Sequence, residues 1–229
     1  MTLAPHAFWQ ELYPPGALAG DEAGGYLGHY RAALPDGRCI ALPIRVLPGD
    51  GTQSVASLIL NQASFAVADA LADALAARLA PFAPEVIVGV PTLGLGLADA
   101  VARRLGHGRM VALGTSRKFW YDEALSEPMR SITSPDQAKR VYVDPRMVPV
   151  LAGRRVAVVD DVASSGTTLR AVLAVLARAG VVPVAAGFAM AQGDGWAAAL
   201  PPGMGFAAAI ASPRLHLGGD GRWRGQARD

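Results

Sequence analysis

Two adjacent carboxylates, Asp160 and Asp161, follow an apolar run at residues 156–159 and precede small and hydroxyl-bearing residues at 163–168. The apolar run predicts a buried strand, and the small residues allow a tight turn into a helix. Successive backbone N–H groups then point into one concavity at the helix N-terminus, where a phosphate is favoured. Two carboxylates would repel a bare polyphosphate, so they are better suited to sugar hydroxyls or a divalent cation. The spacing therefore indicates a site for a sugar phosphate such as ribose 5-phosphate.

Two other phosphate-binding patterns are missing from the sequence. It contains no Gly-x-x-x-x-Gly-Lys-Ser/Thr segment, which disfavours a nucleoside triphosphate site. It also has no Gly-x-Gly-x-x-Gly after the strand, which disfavours a dinucleotide site. From the residues alone, the alternative is a solvated acidic pair at a strand-to-helix turn.

The segment 156–169 resembles the signature with which type I phosphoribosyltransferases bind 5-phosphoribosyl 1-pyrophosphate (PRPP). In that family two acids after a hydrophobic strand precede a small loop that ends in Gly-x-Thr. The resemblance implies that Asp160 and Asp161 are catalytic residues that bind the ribose 2- and 3-hydroxyls and contact a Mg²⁺ cofactor mostly indirectly. It also implies that the following residues hold the rest of PRPP, the 5-phosphate above all: Val162, Ala163, Ser164, Ser165, Gly166, Thr167 and Thr168.

A second loop follows the apolar run 86–90 and consists of Pro91, Thr92, Leu93 and Gly94. Its position resembles the loop whose backbone amides bind the pyrophosphate of PRPP in this family. The family's loop often contains a cis peptide bond, which we expect here between Thr92 and Leu93. An ordinary strand-to-helix turn is the alternative interpretation.

A basic pair, Arg117 and Lys118, begins a polar segment at residues 114–136 that is too long for an ordinary connection. The pair resembles the basic residues of adenine-type and xanthine-type members, which reach the pyrophosphate, often across a dimer interface. The segment resembles the mobile lid that covers the reacting centre and excludes water. The resemblance therefore implies catalytic and pyrophosphate-binding roles for both cations and a homodimer. A solvated basic loop is the alternative.

The position of the base follows only from the resemblance, which puts Phe188 and Met190, with Trp196 as a further candidate, beside a nucleobase. Phe188 fits a core position equally well. A polar patch at Asn61, Gln62 and Ser64 has two interpretations, contact with a base edge or a structural hydrogen bond.

The expected reaction is transfer of the 5-phosphoribosyl group from PRPP to a nitrogenous base, with release of pyrophosphate. Pro91 and Thr92 stand where adenine-specific members carry charge, and the lid lacks the closely spaced lysines of orotate-specific members. A purine-like base of the adenine or xanthine kind remains. The alternatives are a PRPP-binding regulator of purine metabolism and a non-catalytic subunit. Residues 1–50 show no helix-turn-helix pattern, which argues against a regulator that binds DNA.

The elements that position these residues alternate between apolar runs and helical periodicity, which predicts a parallel sheet covered by helices on both faces. Strands are expected at residues 85–90, 110–113, 141–143, 155–160, 181–190 and 206–217. Helices are expected at residues 54–79, 95–105 and 167–179. The fold class is therefore α/β, and the resemblance makes it the type I phosphoribosyltransferase fold.

Three regions are expected along the chain. Residues 1–53 form an N-terminal hood region, built on a β-hairpin whose turn is Pro35-Asp36-Gly37. Residues 54–190 form the PRPP-binding core with the lid 114–136, and residues 191–229 add a hood strand and a tail from 218 onwards. In this family the hood is the small part of the fold that covers the base.

The composition is compatible with this interpretation. The chain has 229 residues, of which 52% are hydrophobic, and a formal net charge of +2, so no basic stripe for nucleic acid is expected. A single cysteine, Cys39, excludes an internal disulfide. No apolar run approaches the roughly 20 residues of a spanning helix, and no basic segment opens the chain. We therefore expect a cytoplasmic protein without membrane or nucleic-acid partners.

Overall fold

The computed structural model describes residues 3–20, 23–131 and 134–226, with residues 130, 131 and 134–139 as backbone. In chain order the strands are β1 (His29–Ala33), β2 (Cys39–Val46), β3 (Gln53–Ala56), β4 (Val86–Gly89), β5 (Val111–Ala112), β6 (Ser126–Ser131), β7 (Ser134–Tyr142), β8 (Val156–Ala163), β9 (Ala185–Gln192), β10 (Gly205–Ser212), β11 (Arg214–Leu217) and β12 (Trp223–Gly225). The helices are α1 (Phe65–Leu79), α2 (Gly94–Arg104), α3 (Val148–Leu151) and α4 (Thr167–Arg178).

The main sheet has five parallel strands in the order β10-β9-β8-β4-β5. Helices α1 and α2 pack on one face, and α4 covers the other. A strand buried on both faces must be apolar throughout, and β9 is buried along its whole length. The predicted parallel sheet with flanking helices is confirmed, and it brings the ends of β4 and β8 to the same edge.

A second sheet, which we call the hood sheet, combines both ends of the chain in the antiparallel order β1-β2-β3-β11-β12. The predicted hairpin of β1 and β2 is confirmed, with Ala33 paired to Cys39 beside the turn. A hood built from the terminal regions is therefore present. The predicted domain boundaries 53/54 and 190/191 fall inside β3 and β9, and the division into three regions stays a prediction.

The helix predicted at residues 54–79 is wrong in its first part. Residues 53–56 are β3, and α1 begins only at Phe65. Ser64 fixes this start, because its Oγ accepts a 3.3 Å hydrogen bond from the Val67 N–H and donates a 2.8 Å hydrogen bond to the Gln10 carbonyl. The predicted helix was extended back to residue 54 because Leu58 and Phe65 are seven residues apart, as on one helix face. Phe65 is 88% exposed, so this spacing does not mark a buried helix face.

Two predictions near the C-terminus are also wrong. Residues 206–217 are two strands in different sheets, because Pro213 lies between them and has no N–H to donate to a ladder. The predicted tail contains β12, which pairs with β11 and carries the buried Trp223. Residues 227–229 lie outside the described residues.

The predicted lid 114–136 is irregular only in its first part. Strands β6 and β7 form an antiparallel ribbon that packs on α4, and Met129 and Val141 are buried there. Residues 132 and 133 lie outside the described residues. Polar residues and Pro128 hide these strands in the sequence, since their apolar side chains are few. Within the described ranges, no helix is long and apolar enough to cross a membrane.

Candidate active site

The two carboxylates lie near the carboxyl end of β8, against the start of α2. Asp160 is buried, and its Oδ1 accepts a 2.9 Å hydrogen bond from the Asp161 N–H. Asp161 Oδ1 accepts a 2.8 Å hydrogen bond from the Val162 N–H. A Cβ at Gly94 would lie 2.7 Å from both Cα and Oδ1 of Asp160, so only glycine permits this approach. The structure thus joins the predicted pyrophosphate loop to the acidic pair.

Burial and mutual repulsion set the charge of the pair. Burial raises the pKa of Asp160 well above its usual range, and the adjacent Asp161 carboxylate raises it further. Burial also raises the pKa of Asp161. A hydroxyl donor or a cation beside the pair would favour the charged form of both side chains.

No cluster of three or more His, Cys, Asp or Glu side chains that could hold a metal ion occurs among the described residues. The acidic pair alone is too small a set to enclose a cation. Mg²⁺ is commonly bound through one or two carboxylates together with substrate phosphates. The donor set therefore fits a Mg²⁺ that arrives with an anionic substrate.

The phosphate loop, residues 163–168, leads from β8 into α4. Gly166 precedes the helix at φ 74°, and a Cβ there would lie 2.6 Å from Ala199 Cβ. The Thr167 N–H donates a 3.3 Å hydrogen bond to Ser165 Oγ, and the Ser165 and Thr167 hydroxyls are 3.0 Å apart. The predicted strand-turn-helix is therefore present, with the Ser165 and Thr167 hydroxyls beside the N-terminus of a twelve-residue helix.

Residues 193–199, of which the sequence singled out only Trp196, pack against this loop. A Cβ at Gly195 would lie 3.2 Å from the Ser164 carbonyl oxygen. Trp196 stacks on Phe206 with ring centroids 3.7 Å apart, and its indole N–H donates to the Gly193 carbonyl. Trp196 thus has one ring face occupied by another aromatic side chain.

The predicted base contacts Phe188 and Met190 are enclosed by the core. Phe188 is 2% exposed and Met190 is 1% exposed. Phe188 packs with Phe206 and Leu169 in an apolar cluster. This burial favours the interpretation of Phe188 as a core residue.

The predicted pyrophosphate loop connects β4 to α2. Its cis peptide bond joins Pro91 to Thr92, one residue before the expected position at Thr92 and Leu93. Thr92 is exposed, whereas Gly94 is buried against Asp160. Three of the four loop residues therefore precede the helix that begins beside the acidic pair.

The basic pair lies on an exposed loop, residues 114–121, which we call the basic loop. Trp120 anchors it, since its indole N–H donates a 3.4 Å hydrogen bond to Asp144 Oδ2 and the Arg146 guanidinium lies 4.4 Å from its ring centroid. The hydrogen-bonded Arg146 lowers the pKa of Asp144 to about 2. Asp144 and Arg146 were missed because they are remote from the motif in sequence. Among the described contacts of Arg117 and Lys118, none is with Asp160 or Asp161.

A cleft of about 1240 Å³ lies along the edge strand β10. Its charged lining residues are Arg31 and Arg78, and Arg78 Nη1 donates a 2.6 Å hydrogen bond to the Ala208 carbonyl. None of the predicted site residues lines this cleft. It is therefore distinct from the candidate active site.

Comparisons with known proteins agree with the geometry. The family model described as phosphoribosyl transferase domain matches residues 55–199. A xanthine phosphoribosyltransferase from Chloroflexus aurantiacus is 36% identical over 118 residues, which are 50% of this chain and 52% of that protein. An adenine phosphoribosyltransferase from a Roseiflexus species is 28% identical over 141 residues, 62% of this chain and 76% of that protein. The match to the Chloroflexus protein thus spans about half of its length.

The fold also matches a solved structure. The crystal structure of an adenine phosphoribosyltransferase from Thermoanaerobacter pseudethanolicus superposes with a TM-score of 0.58 at 19% identity. The match covers 75% of this chain and 95% of that one. At this identity the likeness concerns the fold alone.

Proposed function

Because the chain belongs to the phosphoribosyltransferase family, we propose that it transfers the 5-phosphoribosyl group of PRPP to a purine base and releases pyrophosphate. The observation that most supports this proposal is the close approach of Asp160 to Gly94 at the start of α2. The phosphate loop, with Gly166 just before α4, directly follows the acidic pair in the chain. This arrangement supports the proposal that ribose hydroxyls, a 5-phosphate and a pyrophosphate bind at separate places along one edge of the sheet.

Each group in this proposal has a defined task. The Asp160 and Asp161 carboxylates accept hydrogen bonds from the ribose 2- and 3-hydroxyls, which fixes the sugar. The backbone N–H groups of the phosphate loop and the hydroxyls of Thr167 and Thr168 bind the 5-phosphate. The Pro91–Gly94 loop binds the pyrophosphate through backbone N–H groups. Displacement at the ribose C1 builds negative charge on the leaving pyrophosphate, so fixed donors there stabilise the transition state.

The residues of the site fit a Mg²⁺ ion that binds together with PRPP. Asp160 and Asp161 are the residues that would hold it, mostly through bound sugar and water oxygens. When bound, the ion supplies positive charge that stabilises the leaving pyrophosphate.

The basic pair is proposed to act at the site of a second copy of the chain. Arg117 and Lys118 are exposed, as are the neighbouring Phe119 at 95% and Trp120 at 41%. The two rings contact each other and form one exposed apolar patch beside the basic pair, and such patches are typical of interaction surfaces. We infer a homodimer in which the basic loop of one protomer reaches the pyrophosphate bound by its partner.

The base is proposed to be adenine or xanthine, the bases named for the two relatives. As the sequence indicated, the protein is expected to act in the cytoplasm without nucleic acid or a membrane. A purified-enzyme screen tests the base: adenine, hypoxanthine, guanine, xanthine, orotate and uracil are each incubated with PRPP and Mg²⁺ while pyrophosphate is followed. We expect release with adenine or xanthine. Tight PRPP binding without turnover of any base would favour a regulator instead.

The substitution Asp161→Asn tests the site. We expect its PRPP affinity in calorimetry to fall by about 10- to 100-fold, because a hydrogen bond to a charged group contributes about 1.5–3 kcal/mol. Asp99→Asn is the matched control, since Asp99 is a surface residue of α2 paired with Arg103. Equal PRPP affinities of the two variants would refute the assignment of the acidic pair.

A further inference from the structure

Gln192, the last residue of β9, joins the phosphate loop to the hood sheet. Its side chain is buried, and its Nε2 donates a 2.7 Å hydrogen bond to the carbonyl of Ala56 in β3. Its Oε1 accepts a 3.3 Å hydrogen bond from the Ser164 hydroxyl. One side chain thus bridges two parts of the fold that are more than one hundred residues apart in sequence.

The direction of these hydrogen bonds is fixed by chemistry. The Ala56 carbonyl only accepts, so the amide nitrogen of Gln192 must face it. The amide oxygen then faces Ser164, which must donate its single hydroxyl proton. A flipped amide would bring two acceptors together at Ala56. Ser164 therefore donates its hydroxyl proton to Gln192, and its backbone N–H is the donor that we assign to the phosphate.

Nothing described nearby competes for this bridge. Ser212 lies opposite Gln192 in the pairing of β9 with β10, but its hydroxyl is buried without a partner among the described residues. Ser54, two residues before Ala56 in β3, is likewise buried with an unpartnered hydroxyl there. The amide of Gln192 is thus the polar link between loop and hood sheet at this junction.

We propose that Gln192 is a positioning residue that couples occupancy of the phosphate loop to the hood sheet. The inference rests on the proposed function, because the ligand of the loop is the 5-phosphate of PRPP. A bound phosphate immobilises Ser164 through the backbone N–H groups of the loop. Ser164 then holds the Gln192 amide in place, and the amide restrains the end of β3. Binding of PRPP in this way orders the hood before the base arrives.

Hydrogen exchange of the full chain, followed by mass spectrometry with and without saturating ribose 5-phosphate, tests this coupling. In the wild type we expect exchange of peptides covering β3 to slow by about 2- to 10-fold on binding, the effect of one neutral hydrogen bond. Gln192→Met removes both hydrogen bonds at similar volume, and Ser164→Ala removes only the one to the loop. Both variants should lose the ligand-dependent slowing at β3, measured at ligand concentrations that saturate each variant.

Ser165→Ala is the matched control, because Ser165 is bonded to Thr167 and not to Gln192. It should keep the slowing at β3. Should Gln192→Met fail to fold, Ser164→Ala carries the test, since Ser164 lies on a partly exposed loop. Two results would overturn the role of Gln192 and leave the proposed function intact. One is binding of ribose 5-phosphate by the wild type without slower exchange at β3, and the other is full slowing in Ser164→Ala. If calorimetry detects no binding of ribose 5-phosphate or PRPP to the wild type, the proposed function fails and the inference falls with it.

Discussion

At the scale of single residues, two glycines decide how closely the ligand loops approach their neighbours. Gly94 allows α2 to begin against Asp160, and Gly166 allows the phosphate loop to pack on Ala199. Gly166 carries a second requirement, its positive φ of 74°. The two requirements can be separated by experiment, because Gly153 has a similar φ of 71° but no atom within 4 Å of the position that a Cβ would take.

Replacing each of these glycines by alanine separates strain from crowding. Gly153→Ala should lower the free energy of unfolding by about 1–2 kcal/mol, the cost of a left-handed residue with a Cβ. Gly166→Ala should lower it further and also weaken ribose 5-phosphate binding, because the added methyl group must displace Ala199 or the loop. Urea denaturation and calorimetry measure the two effects. Equal stability losses with unchanged binding would show that the contact with Ala199 is unimportant.

His29 predicts a pH dependence of stability. Burial lowers its pKa below the ordinary 6.5, and a hydrogen bond to the backbone of Ala19 offsets this only in part. Well above pH 6.5 the imidazole is neutral in both the folded and the unfolded state and has no effect on stability. As the pH falls below 6.5, the unfolded chain binds a proton more readily than the folded one, so stability declines. The wild type should therefore lose more Tm than His29→Asn between about pH 7.5 and about pH 5.5. Parallel losses in the two proteins would exclude His29 as the cause.

At the scale of elements, strands and helices were predicted best where one sequence pattern, such as a continuous apolar run, dominates. Strands β4 and β8 are continuous apolar runs, and α4 has both a small-residue start and Gly180 just after its end. The sequence was less informative where tertiary packing decides: of the ribbon of β6 and β7, which packs on α4, it indicated only the end of β7, within the strand expected at residues 141–143.

The candidate site divides in the same way. The acidic pair and the phosphate loop could be predicted from the sequence because their strand, turn and helix follow one another along the chain. The support from Gln192 and Gly195 was not readable, because it joins residues that meet only in the folded protein. Trp120 belongs to this second group, since its partners Asp144 and Arg146 follow the lid.

Trp120 is predicted to hold the basic loop in place for Lys118. The Lys118 carbonyl accepts a 3.0 Å hydrogen bond from the Tyr121 N–H, so the turn beyond Lys118 moves with Trp120. Trp120→Ala should weaken pyrophosphate inhibition of the reaction by about 2- to 10-fold, from loss of one hydrogen bond and one exposed cation–π contact. Phe65→Ala is the control, since Phe65 is an 88% exposed aromatic residue of α1 that lies outside the basic loop. Identical inhibition constants for both variants would refute the anchoring role.

At the scale of the whole molecule, the small net charge of +2 conceals a separation of charge. The acidic pair, of which Asp160 is buried and Asp161 half-buried, lies near the end of β8. The basic pair lies on an exposed loop, and its described contacts do not include the acidic pair. Under the proposed function, a single chain would therefore bind ribose through its carboxylates, while its basic pair would not reach the pyrophosphate of the same site. A second copy of the chain supplies these cations if the dimer has two equivalent shared sites.

Mixing two inactive variants tests this sharing. Asp161→Asn removes a carboxylate and Lys118→Met removes a cation, so each homodimer is defective at both of its sites. In a heterodimer, one site combines both defects, whereas the other combines Asp161 from one protomer with Lys118 from the other and is intact. If subunits exchange randomly, half of the dimers carry one intact site, and an equimolar mixture should recover about one quarter of wild-type activity. Activity no higher than the mean of the two variants, despite heterodimers detected by native mass spectrometry, would mean that each site is built from a single chain.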